Sequence, residues 1–248
     1  MDLESVHERR DMEEGQLVMP FYLICDVSYS MSNDMTSLNN GVSGLQRAIV
    51  AEPVVDDVAQ ICIMTFSTTA QVVLPLGQMS EQQIPTLSAG GGTNYGTAFR
   101  CLADTITRDV AALKAQGYKT YRPCAFFLTD GEPNDRDWHQ TFTSTLTYDR
   151  EKNQGMKAHP IFVPFGFRTA SDKVLGQLAY PPGRGKWYHS ASTAVETVLS
   201  EILEVIMKTV IASGKSAGTG QPLVAQQPPP PGSGIVQGES DYDPDYVW

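Results

Sequence analysis

Five polar residues fall in a pattern that can hold a cation. Asp26, Ser28 and Ser30 form an Asp-x-Ser-x-Ser triplet directly after an apolar run, Leu17 to Cys25. Thr93 follows three consecutive glycines, Gly90 to Gly92, and Asp130 is the acid of Thr129-Asp130-Gly131 at the end of a second apolar run, Cys124 to Leu128. Together they offer two carboxylates and three hydroxyls. Such hard oxygen donors suit a small hard cation, Mg²⁺ first, with Mn²⁺ or Ca²⁺ as alternatives. Taken singly, each signal is ordinary. Asp and Ser cap helices, Thr93 can serve as an N-cap, and Asp130-Gly131 can be a plain turn. The metal reading requires the three loops to meet.

The elements around these residues are arranged so that they can. Leu17 to Cys25 reads as a strand buried on both faces. Leu38, Val42, Leu45 and Ile49 mark a helix that ends near Pro53. Gln60 to Phe66 is a second strand, and the brief turn to Gln71–Leu74 predicts an antiparallel hairpin. After Thr93-Asn94, a helix carries Phe99, Leu102, Ile106, Val110 and Leu113 on one face. Arg122 to Leu128 and His159 to Phe165 read as strands, with helices expected over Trp138–Asn153 and Ser171–Ala179. Trp187-Tyr188 is a short last strand, and a final helix over 191–211 presents Val195, Val198, Leu199, Ile202, Val205 and Ile206. This alternation predicts an α/β domain, a doubly wound and mainly parallel sheet with one antiparallel edge strand and helices on both faces. In such sheets ligands bind beyond the carboxyl ends of the strands. Asp26 and Asp130 share that end if their two strands lie close together.

Composition narrows the function classes. The chain has 248 residues, 41% of them hydrophobic, with 18 Lys+Arg against 28 Asp+Glu for a formal charge of −10. That charge argues against nucleic acid and anionic lipid as partners. No stretch approaches the ~20 apolar residues of a membrane span. The polar first fifteen residues do not resemble a secretory signal. Cys25, Cys62, Cys101 and Cys124 form no C-x-x-C pair and read as buried thiols of a cytoplasmic protein. The expected organisation is a polar extension over 1–16, one domain over 17–213, and a flexible Pro-rich linker with an acidic aromatic tail over 214–248. Within that tail, Tyr242, Tyr246 and Trp248 alternate with acids, which predicts a docking segment. Asp243 or Asp245 could also supply a carboxylate to a metal site, its own or a neighbour's.

The combined motif (Asp26-x-Ser28-x-Ser30, Thr93 after Gly-Gly-Gly, and Thr129-Asp130-Gly131) resembles the metal-ion-dependent adhesion site (MIDAS) of von Willebrand factor A (VWA) domains. The likeness spans roughly Leu17 to Ser213. It implies a Rossmann-like VWA fold in which Ser28, Ser30 and Thr93 contact the cation directly. Asp26 and Asp130 would act through water. The wording Gly-Gly-Thr-Asn-Tyr-Gly and Leu-Thr-Asp-Gly-Glu-Pro-Asn-Asp is similar to the bacterial TerY-type branch, named for tellurium resistance. That likeness implies a signalling or stress setting with a Ser/Thr kinase and a PP2C-type phosphatase. The implied function is metal-dependent protein–protein interaction through a partner's Asp or Glu. Tyr29, Gly92, Asn94 and Glu132 beside the motif, and Asp243, Asp245 and Trp248 in the tail, are the candidate partner contacts.

Enzyme readings find less support. A haloacid-dehalogenase phosphatase needs a second acid two residues after the first, and position 28 is serine. No G-x-S-x-G is present, His7, His139, His159 and His189 follow no motif, and the glycine loop lacks the lysine of a P-loop. The expectation is therefore no enzyme activity. A metal-dependent phosphoester hydrolase and a module that the metal merely stabilises remain the alternatives.

Overall fold

The computed structural model describes residues 15–192, 194–218 and 224–246. Strand β1 (Leu17–Asp26) lies at the centre of the main sheet. Around it stand β2 (Ala59–Phe66), β3 (Ala70–Gly77), β4 (Cys124–Thr129), β5 (Ile161–Phe167), β6 (Lys186–Ser190) and β7 (Ile235–Glu239). Their spatial order is β7-β6-β5-β4-β1-β2-β3. The five inner strands run parallel. β3 is antiparallel to β2, as the short turn predicts, and β7 is antiparallel to β6 at the opposite edge.

Side chains of β1 alternate between two apolar layers, as the pleat requires. Phe21, Leu23 and Cys25 face a layer shared with helices α1 (Met35–Val50), α2 (Pro53–Val58) and α6 (Val195–Gly218). Tyr22 and Ile24 face a layer built on α3 (Tyr95–Ala115), α4 (Trp138–Leu146) and α5 (Asp172–Leu178). With both faces covered, β1 can be apolar from Leu17 to Cys25, and it is; Asp26 closes it.

Two expectations need correction. The helix expected over Trp138–Asn153 stops at Leu146, and a small hairpin of Tyr148–Asp149 with Gln154–Gly155 follows. The tail is not a free linker over its described part. The final helix continues to Gly218, and Ile235–Glu239 then pairs with β6. Beyond it, Asp241 N–H donates to Gly176 O (2.9 Å) and Asp243 N–H to Gln177 Oε1 (2.9 Å). The Tyr242 ring packs on Tyr180 (5.0 Å between centroids) and Tyr246 on His139 (5.1 Å). An edge strand leaves a row of unpaired backbone groups, and a segment too polar to form a core can still cover it.

Candidate metal centre

β1 and β4 are neighbours in register, Cys25 beside Leu128, so their carboxyl ends leave the sheet side by side. Asp26 lies at the first exit with 1% of its surface exposed. Its Oδ1 accepts from Ser28 N–H at 2.8 Å and its Oδ2 from Thr129 Oγ1 at 2.9 Å. Burial pushes its pKa up to about 6; hydrogen bonds from Ser28 pull it back, and the neighbouring Asp130 charge adds to the rise. Tyr95 supports the arrangement from α3 by donating its hydroxyl to Gly131 O at 2.7 Å.

Ser28 Oγ and Ser30 Oγ stand 3.0 Å apart, and Ser30 Oγ donates to Asp130 Oδ1 at 2.9 Å. These spacings fit a small hard cation. Octahedral bonds of about 2.1 Å place adjacent donor oxygens about 3 Å from one another. The donor set is hydroxyl-rich. Among the described residues, no group of three or more His, Cys, Asp or Glu is placed to hold a metal ion.

Thr93 reaches the same rim by a different route. Its loop is tied to the first loop by Gly90 N–H to Val27 O (2.7 Å) and Tyr29 N–H to Gly91 O (3.0 Å). It is tied to the Asp130 loop by Thr93 N–H to Asn134 Oδ1 (2.8 Å) and Asn134 N–H to Thr93 O (2.8 Å). Gly91 adopts φ +83°, and a Cβ there would meet Thr68 Oγ1 at 2.8 Å, so glycine is required. Thus Ser28, Ser30 and Asp130 are linked through their side chains, and Asp26 is held beside them by Ser28 N–H and Thr129 Oγ1. Thr93 is brought alongside through its backbone, and its half-buried hydroxyl is not hydrogen-bonded to any of those four.

Several residues at the site escaped the sequence reading. Asp135 accepts from the backbone N–H groups of Tyr95 (2.9 Å) and Gly96 (2.8 Å) and so anchors the start of α3. Arg168, just beyond β5, donates through Nη1 to Asp130 Oδ2 at 2.9 Å and pairs through Nη2 with Asp34 Oδ2 at 2.5 Å. Its available signal was being the lone cation in the loop after a buried strand.

The candidate partner contacts divide. Tyr29 is 77% exposed beside the serines. Gly92 and Glu132 are also exposed. Asn94 is committed elsewhere: its side chain accepts from Thr97 N–H at 2.9 Å and caps α3. Asp243 and Asp245 are exposed, and among the described residues no hydrogen bond or ion pair joins them to the five site residues. Trp248 lies outside the described residues.

Comparison with known proteins agrees with the fold and with the motif-bearing half. Residues 21–132 match the von Willebrand factor type A domain. No curated protein matches the chain. Among solved structures, proximal thread matrix protein 1 of the mussel byssus superposes with a TM-score of 0.54 at 14% identity, over 80% of this chain and 49% of its own. Another structure of that protein has a zinc-occupied MIDAS motif, with a TM-score of 0.53 at 14% identity, 80% of this chain and 49% of that one. The pilus adhesin SpaC of Lactobacillus rhamnosus GG, in an open conformation, gives 0.57 at 14% identity, covering 80% of this chain and 31% of that one. The chain thus spans about half the length of the mussel protein and a third of the adhesin. These likenesses show the VWA fold. Among the described residues, no helix is long and apolar enough to cross a membrane.

Proposed function

We propose that this VWA domain is a protein-interaction module that holds a divalent cation, Mg²⁺ first, and through it recognises an acidic residue of a partner. The observation that carries the reading is the run of Ser28 Oγ, Ser30 Oγ and Asp130 Oδ1 at successive spacings of 3.0 and 2.9 Å, drawn from two strand exits. When bound, the cation supplies a positive centre that neutral hydroxyls compensate only in part, so a carboxylate from outside completes it. Ser28 and Ser30 present that face, with Thr93 joining from the adjoining glycine loop. Asp26 balances charge and orients water, and Asp130 balances charge with its Oδ1 turned to the cation position. Tyr29 projects next to the serines and offers an aromatic anchor.

An interaction role accords with Asp26 being buried and both its oxygens being engaged, so that its carboxylate is not free to attack a phosphoester. Cys25, Cys62, Cys101 and Cys124 are all free thiols, in keeping with a cytoplasmic setting. The likeness to the TerY-type branch makes a Ser/Thr kinase and a PP2C-type phosphatase the first partners to try. The test is capture from a lysate with Mg²⁺ or with EDTA, read by mass spectrometry, followed by calorimetry on the purified partner. Binding should require Mg²⁺ and one acidic partner residue. Equal affinity in EDTA would reject the reading.

A further inference from the structure

Arg168 and Asp34 stand at the centre without a part in the reading above. Arg168 adopts φ +57°, a left-handed conformation uncommon for a residue with a side chain. The turn is held by Thr169 N–H to Asp130 O and Ala170 N–H to Phe167 O, each 3.2 Å. From it the guanidinium reaches Asp130 Oδ2, Asp34 Oδ2 and, at 3.2 Å, Ser30 O. The Asp130 and Asp34 side chains are only 3% and 9% exposed, so this pairing is poorly screened. Asp130 is thereby divided: Oδ1 turns to Ser30 and the cation position, and Oδ2 is held by Arg168.

We infer that Arg168 sets the charge of the centre, and so decides how tightly it holds a metal and whether it then accepts a carboxylate. The inference rests on the metal reading and gives it a specificity determinant. Three carboxylates (Asp26, Asp34 and Asp130) and one guanidinium leave the empty centre with a net charge of −2, which a divalent cation cancels. A partner's carboxylate then meets no net repulsion. Without Arg168 the empty centre is one unit more negative. It grips the metal more tightly, and once loaded it repels the acidic ligand. The guanidinium gives up metal affinity and in return admits the acidic partner.

The two effects have opposite signs, which a purely structural role would not produce. The experiment compares the full chain with Arg168→Gln, using Mn²⁺ alone followed by electron paramagnetic resonance. Acetate serves as the carboxylate probe, read by loss of water-proton relaxation on the loaded protein. Arg168→Gln should bind Mn²⁺ about tenfold tighter, the order expected for a unit charge acting on a divalent ion in a water-like dielectric. It should bind acetate several-fold more weakly. Arg168→Lys should stay near the parent on both, and Asp34→Asn should move both in the reverse direction, which carries the test if Arg168→Gln does not fold. Equal or weaker Mn²⁺ binding by folded Arg168→Gln, with no reversal in Asp34→Asn, overturns the inference while leaving the metal reading intact. No Mn²⁺ binding by the parent chain overturns both.

Discussion

At the residue scale, Asp26 combines a stability cost with a binding role. Its pKa of about 6 in the folded chain lies above the ordinary carboxylate value of 3.8. Between those values the folded state keeps a proton that the unfolded state has lost. Its contribution to stability is therefore full in acid and is lost as the pH rises through about 6. Above pH 6 the metal-free chain carries a buried charge at a cost of up to about 3 kcal/mol, since each tenfold change in proton affinity is worth about 1.4 kcal/mol. Asp26→Asn should remove that cost. Its amide can still accept from Ser28 N–H and can donate to Thr129 Oγ1. Calorimetric melting at pH 7 should show the metal-free variant several degrees more stable than the parent and unresponsive to Mg²⁺. In the parent, Mg²⁺ affinity should fall below about pH 6, because the site then holds a proton on Asp26 that the cation must displace. Tyr29 separates binding from loading. Tyr29→Ala should leave metal affinity unchanged and weaken partner binding by about 2 kcal/mol, the order of a buried aromatic anchor, in a titration at saturating Mg²⁺.

At the element scale, the tail is the part with an outcome that composition concealed. β7 covers the edge of β6, and Gly238 is the position where this depends on having no side chain: a Cβ there would lie 2.1 Å from the Trp187 ring. Tyr242 and Tyr246 then pack against α4 and the Tyr180 turn, with Lys173 Nζ 5.0 Å from the Tyr246 ring centre. Ending the chain at Gly234 should cost about 2 to 4 kcal/mol, from loss of two partly buried tyrosines and Ile235, and should raise the tendency to self-associate through the bared edge. Gly238→Ala should give part of that loss in denaturant unfolding. The helices and inner strands were legible because each presents a repeating apolar face, and Asp26 and Asp130 because an acid follows abruptly on an apolar run. The tail was not legible because pairing with an edge strand uses backbone groups that any sequence carries. Arg168 was not legible because its role depends on β5 lying beside β4, which brings residues 38 apart into contact, and a lone cation in a loop does not name its partner.

At the scale of the whole molecule, the apolar packing and the site are separated in space. Two apolar layers sandwich the sheet, one on the α1–α2–α6 side and one on the α3–α4–α5 side, and both lie below the rim where the oxygens gather. The fold should therefore persist without metal, with an unchanged far-ultraviolet circular dichroism spectrum in EDTA. The rim, by contrast, is assembled from loops that follow β1, β3, β4 and β5 and are tied to one another by a few hydrogen bonds. Any rearrangement on partner binding belongs there. The central claim is that Ser28, Ser30 and Asp130 are spaced to hold a cation. Calorimetric titration of Mg²⁺ into the metal-free chain, set beside the Ser28→Ala/Ser30→Ala double variant, tests it most directly. One bound Mg²⁺ per chain in the parent and none in the folded variant is the predicted result; no binding by the parent, or equal binding by both, would contradict it.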